Sequence, residues 1–147
     1  MKIEFTVPGE PKGKGRPRFT KAGHTYTPRS TAEYEDIVKY AYISQCRGEP
    51  FAQGVPLCME IRAVFKIPKS ASRKKRAAML NGDILPTKKP DADNVVKIIA
   101  DALNGLAYYD DAQIVRLKYA KMYGETPRVT VKINAEERTK NDENRLQ

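Results

Sequence analysis

The sequence predicts an α+β fold, a mixed sheet with about three helices in a single domain over residues 1–134. Three observations predict it. Leu57, Met59, Ile61, Ala63, Phe65 and Ile67 alternate with Glu60, Arg62 and Lys66, the period of a half-buried strand. Two other stretches, near 31–47 and 93–106, repeat their apolar residues at helical period. The strands are separated by irregular Gly- and Pro-bearing loops, with no βαβ rhythm, so a doubly wound sheet is not expected.

Taken in order, Ile3, Phe5 and Val7 alternate with Glu4 and Thr6 and open the chain as a strand. PGEPKGKGRPRF (8–19) carries too many prolines and glycines for a helix or an interior strand and reads as a flexible loop. HTYTP (24–28) suits a short paired strand. Ser30 and Glu33 have capping-box spacing, and Tyr34, Ile37, Val38 and Ala41 follow at helical period until Gly48 and Pro50, giving a helix over about 31–47. Ser72 can cap a short basic helix, 73–80, which Asn81-Gly82 ends. A further helix spans about 93–104 and stops at Asn104-Gly105. Val115, Leu117 and Tyr119 form one strand and Val129, Val131 and Ile133 another, and the turn at Gly124-Glu125 suggests that these two pair as a hairpin. AEERTKNDENRLQ (135–147) reads as a charged, flexible tail.

At 147 residues the chain can bury a proper core, and its 40% apolar content excludes a disordered class. MKIEFTVPGE is neither a signal peptide nor a membrane span, so a cytoplasmic protein with no membrane partner is expected. Cys46 and Cys58 have no CxxC spacing and read as reduced core thiols. The one histidine, His24, gives little support to Ser-His-Asp or His-metal chemistry.

The net charge is +9 and the pI about 9.6, which favours a polyanionic partner. The charge is segregated. Lys12, Lys14, Arg16, Arg18 and Lys21 share one stretch, and Lys66, Lys69, Arg73, Lys74, Lys75, Arg76, Lys88 and Lys89 a second in which Asp83 is the only acid. Both suit phosphate contacts, with RKKR (73–76) either facing DNA or forming the wet side of its helix. Phe19 is expected at the edge of the core, although it would also serve as a wedge against an unstacked base. Tyr108 and Tyr109 are expected to pack.

Five of the eight aspartates, Asp91, Asp93, Asp101, Asp110 and Asp111, fall within 91–111, where the only basic residue is Lys97. On a helix of 93–106, Val95, Ile98, Ile99, Ala102, Leu103 and Leu106 form the core side. Asp93, Lys97, Ala100, Asp101 and Asn104 form the opposite side. Parts of this have ordinary explanations: an Asp in a first turn complements the helix dipole, Asp91 or Asp93 can be an N-cap, and Asp–Lys at i, i+4 is a common surface pair. As a set, crowded carboxylates repel unless a cation sits among them. Mg²⁺ typically takes one or two carboxylates with water and phosphate oxygens. The Asp110-Asp111 arm would join the set if the strand after it ran back beside the helix. DADNVVKIIADA is no EF-hand, since it lacks the glycine at the sixth position and the final glutamate. Carboxylate-held Mg²⁺ with Lys97 beside it, in a basic chain, points to phosphodiester hydrolysis.

KPDADNVVKIIADALNG followed by YYDDAQI resembles the signature of the RusA family of Holliday junction resolvases: Asp-x-Asp-Asn, a lysine four residues on, Asp-Ala-Leu, and an Asp-Asp before a Gln. The strand with PGEPKGKGRPRF and the YTP after it also resemble the family, and the likeness spans about 2–133. Val95 stands where the family more often has leucine. The resemblance implies a homodimeric, Mg²⁺-dependent endonuclease, with Mn²⁺ able to substitute, that nicks four-way DNA junctions symmetrically in recombination and repair. It implies Asp91, Asp93 and Asp111 as metal ligands, Lys97 as the essential lysine, and Asp101 and Asp110 in support. Two alternatives stand beside it, a DNA-binding protein without catalysis and a nuclease of this fold acting on other branched DNA.

Overall fold

The computed structural model describes residues 1–136, and the expected tail from 137 on lies outside the described residues. The elements run β1 (Lys2–Pro8), β2 (Arg18–Phe19), β3 (Thr25–Tyr26), α1 (Arg29–Gln45), β4 (Leu57–Lys66), α2 (Arg73–Asn81), α3 (Ala92–Leu103), a 3-10 turn (Asp111–Gln113), β5 (Ile114–Gly124) and β6 (Arg128–Ala135). The α+β expectation is met. Ala135 and Glu136, placed with the tail by the sequence, belong to the fold: Ala135 ends β6 opposite Leu57, and the Glu136 N–H donates to the Pro56 carbonyl.

The four long strands form one sheet in the order β1-β6-β4-β5. The expected hairpin of β5 and β6 does not exist. β6 lies antiparallel between β1 and β4, and β5 pairs with β4 in parallel as an edge strand. Val129, Val131 and Ile133 of β6 are fully buried on the face that the helices cover, as are Phe5 and Val7 of β1 at the opposite edge. β5 buries no residue completely and carries Arg116, Lys118 and Lys121, the composition that keeps an open edge soluble.

α1 and α3 pack on each other and on the sheet, where Phe5, Met59, Ile61, Val131 and Ile133 meet Tyr34, Val38, Val95, Ile98, Ile99 and Leu103. Each large apolar side chain fully buried here contributes about 1.5–3 kcal/mol. α1 starts earlier than the sequence suggests, with Pro28 as N-cap. The Ser30–Glu33 capping box does not form, and Glu33 instead accepts from Arg29 Nε at 2.9 Å. Ile37, expected in the core, remains 43% exposed. The other caps are as read: Ser72 accepts from the Lys75 N–H and Gly82 ends α2 in the left-handed conformation.

Candidate active site and nucleic-acid interface

Asp91 is the N-cap of α3. Its Oδ1 accepts from the Asn94 N–H at 3.0 Å, and its Oδ2 lies 3.5 Å from Lys89 Nζ. The Asn94 N–H holds the Asp91 carboxyl below its usual range, opposed by desolvation and helped by Lys89 and Lys121. Asp93 sits two residues on, exposed in the first turn of α3, and Lys97, four residues further, is exposed on the same side of the helix as Asp93. Among the described residues, neither Asp93 nor Lys97 is held by an ion pair or hydrogen bond, so the expected i, i+4 pair is not made. Both groups are left facing outward with their full bonding capacity.

The loop 11–17 lies across the start of α3. The Lys14 N–H donates to the Asn94 carbonyl at 2.9 Å and the Gly15 N–H to Thr31 Oγ1 at 3.0 Å. The glycines are needed for close approach. A Cβ on Gly13 would stand 2.9 Å from Asn94 Cβ and 3.0 Å from Pro90 Cβ, and one on Gly15 would stand 2.6 Å from Thr31 Oγ1. KGKGR is thus a docked strap, where the sequence suggests a flexible loop. The Lys14 ammonium contacts Glu35 of α1 and lies 3.2 Å from Asp101 Oδ2 of α3. Lys14, read from sequence as a DNA contact, is spent joining the two helices. Asp101, read from sequence as a supporting residue, is the partner of Lys14.

The strap makes two adjoining hollows beside the carboxylates. One is lined by Lys12, Lys14, Lys89, Pro90 and Asn94, the other by Lys14, Gly15, Arg16, Asn94 and Lys97. The second basic stretch comes to the same end of the sheet. The Lys66 N–H donates to Glu10 Oε1, Arg76 reaches Glu125 at 3.3 Å, and Lys121 of β5 donates to the Lys88 carbonyl. Arg73, Lys74 and Lys75 are exposed on α2, whereas Arg76 is partly covered. Segments far apart in sequence thus gather cations around Asp91.

Asp111 lies elsewhere. The strand after it does run back beside α3, but the strand's far end is what reaches Asp91: Lys121 acts on Asp91 electrostatically, and Asp91 with burial raises the Tyr119 hydroxyl. Asp111 stays at the other end of the helix, where its N–H donates to Asn104 Oδ1 at 3.0 Å. The 12 residues of α3 put about 18 Å between the two arms. Among the described residues, no three acidic, Cys or His side chains are grouped to hold a metal ion. Burial raises the Asp111 carboxyl and its neighbours Asp110 and Asp101 raise it further, while Asp110, which accepts from the Ala112 N–H, is lowered.

The sequence reading gave Gln113 no role. Its Oε1 accepts from the Tyr109 and Asp110 N–H groups, and its Nε2 donates to the Ala52 and Val55 carbonyls. It is buried and anchors the Asp110-Asp111 arm to the chain before β4. A glutamine two residues after an acidic pair was the visible signal. Tyr108 is buried and donates to the Ala100 carbonyl at 2.7 Å; Tyr109, expected to pack, is 64% exposed.

The family model described as Endodeoxyribonuclease RusA matches residues 8–134, the span that holds the outward carboxylates, Lys97 and the basic groove. A protein of Lactococcus phage r1t named crossover junction endodeoxyribonuclease rusA is 30% identical over 139 residues, covering 90% of this chain and 98% of the relative. The uncharacterized protein YqaN of Bacillus subtilis (strain 168) is 42% identical over 135 residues, covering 89% of this chain and 94% of the relative. The chain belongs to the RusA endodeoxyribonuclease family. No helix among the described residues is long and apolar enough to cross a membrane.

Proposed function

We propose that this protein is a Mg²⁺-dependent endonuclease that resolves four-way DNA junctions by paired symmetric nicks, acting as a homodimer in recombination and repair. The observation that carries this reading is the stripe Asp91, Asp93, Lys97 at the start of α3, opening onto a groove lined by cations from two distant parts of the chain. Asp91 and Asp93 offer two hard carboxylates, the protein's usual share of a Mg²⁺ site, with waters and phosphate oxygens completing it. When bound there, the ion supplies charge neutralisation at the scissile phosphate and acidifies a water. Lys97 offsets charge on the phosphorus oxygens or protonates the leaving oxygen. Lys12, Arg16, Arg18, Arg73, Lys74 and Lys75 hold flanking phosphates without reading sequence.

The distance between Asp91 and Asp111 favours a site shared by two subunits. β5 is an edge strand, and its Val115 and Leu117 are 61% and 46% exposed. An antiparallel pairing of two β5 edges centred at residue 116 sets residue 111 of one copy about level with residue 121 of the other, because residues equidistant from the centre face each other. Lys121 stands at Asp91, so Asp111 of one copy approaches the Asp91–Asp93 pair of its partner. Two sites related by a two-fold axis suit two cuts of opposite polarity.

The test is cleavage of a four-way junction, a flap and a linear duplex of matched sequence with Mg²⁺. Paired nicks in the junction alone are expected. Asp93→Asn should abolish cutting and leave binding within about threefold. Full activity of that variant removes Asp93 from the site. Mixing inactive Asp91→Asn and Asp111→Asn chains should restore single nicks, since one of the two shared sites in the heterodimer is intact. Sites built within one subunit give no restoration.

A further inference from the structure

The chain from 18 to 26 forms a small ribbon of which the function above uses only Arg18. β2 and β3 pair through Arg18↔Tyr26 and Phe19↔Thr25. The turn is closed by the Gly23 N–H donating to the Thr20 carbonyl, the Thr20 N–H to the His24 carbonyl, and the His24 N–H to Thr20 Oγ1. Gly23, at φ +84°, takes the left-handed conformation this turn requires. Every residue from Arg16 to Thr27 is exposed.

Phe19 is 73% exposed and Tyr26 47%. The expectation that Phe19 sits at the core edge is therefore wrong. Directly opposed residues share a face and successive residues alternate, so Phe19 stands on one face of the ribbon and Tyr26 on the other. A two-stranded ribbon is marginal on its own, and two aromatics in water add nothing to its stability.

Charge says what could cover these rings. No acidic residue occurs between Glu10 and Glu33, while Lys12, Lys14, Arg16, Arg18, Lys21 and Arg29 do. Position says the same. The ribbon continues directly from Gly15, Arg16 and Pro17, which with Lys97 line the hollow beside the carboxylate stripe. Aromatic rings on a cationic element stack on nucleobases with little sequence preference, because every base has a π-face.

We propose that the 18–26 ribbon is a two-sided blade that recognises the branch point, with Phe19 stacking on a base left unstacked where the junction arms part and Tyr26 offering a second platform on the other face. This deepens the junction-resolving reading and rests on it. Linear duplex, whose bases are stacked throughout, offers the blade nothing, so the ribbon would separate branched from linear DNA while the surrounding cations bind both.

The chain contains no tryptophan, so F19W carries a single reporter. Its emission is read with a four-way junction and with linear duplex of the same sequence. Affinities of the wild type, F19A and F19W for both DNAs are measured alongside. Strong quenching on the junction, and little on the duplex, is expected. F19A should bind the junction about tenfold more weakly, the consequence of one lost stack, keep its duplex affinity within about twofold, and be rescued by F19W. Thermal unfolding of F19A should match the wild type, as Phe19 touches no core. Emission of F19W that stays unchanged on the junction overturns the proposal, as does equal weakening by F19A on both DNAs. A wild type that does not prefer the junction overturns the functional reading itself; a wild type that prefers it with a silent F19W overturns the blade alone.

Discussion

Replacing Lys14 with methionine separates a structural lysine from a DNA-binding one. The Lys14 side chain is 20% exposed, and those of its partners Glu35 and Asp101 are 17% and 31% exposed. Methionine keeps the aliphatic stem and removes the charge. An exposed pair is worth at most about 1 kcal/mol, whereas breaking a buried one costs about 3–5 kcal/mol. This partly covered, doubly paired lysine falls between, so K14M should lose about 2–3 kcal/mol. For a domain of this size that is about 5–10 °C in Tm. Neutralising the stranded acids in K14M/E35Q/D101N should recover most of the loss, since it arises from two uncompensated carboxylates. Burial alone lowers the Lys14 ammonium, but its hydrogen bonds and charge attraction with Glu35 and Asp101 outweigh that and raise it above the ordinary 10.5. The folded chain therefore holds this proton more tightly than the unfolded chain. The contribution is fully present below pH 10.5 and lost as pH climbs through the folded value, and the gap between wild type and K14M closes there. Urea denaturation from pH 7 upward measures both effects. A K14M that unfolds within about 0.5 kcal/mol of wild type, yet binds the junction much more weakly, would refute the reasoning and put Lys14 on DNA phosphate.

Gln113→Leu is close in size but removes four hydrogen bonds of the Asp110-Asp111 arm. It should cost about 3 kcal/mol in urea denaturation, and junction cleavage should fall much more than junction binding because Asp111 loses its anchor. Gly13→Ala forces a Cβ to within 2.9 Å of Asn94 Cβ. It should cost about 1–3 kcal/mol and lift the strap from α3, which amide hydrogen exchange will register as lost protection at the Lys14 N–H.

The secondary structure was legible because it is local. Period 2 marked β4 and β6, period 3.6 marked α3, and Ser72, Gly82 and Asp91 sit where capping chemistry needs them. Asp93, Lys97 and Asp101 were legible for the same reason, since helical spacing puts the three on one side, and Asp91 was legible as an N-cap just before them. Partnership between distant elements was not. The turn after Gly124 reads as a hairpin, but periodicity shows which face a strand buries and says nothing of its neighbour. β6 lies in the interior between β1 and β4, and β5, which buries no residue completely and carries Arg116, Lys118 and Lys121, lies at the edge.

Lys14 and Asp101 likewise looked like a surface cation and a helix-face acid until the strap's glycines brought them together. By itself, then, the sequence determined a basic α+β chain, its elements, and which side of α3 carries Asp93, Lys97 and Asp101. Only the tertiary structure decided that Phe19 stands in solvent, that Gln113 anchors the acidic arm, and that Asp111 lies a helix length from Asp91. The physical reason is that α3 is a rigid rod with β5 laid antiparallel beside it. The return strand therefore brings Tyr119 and Lys121, and not the acidic pair that precedes it, to the start of the helix.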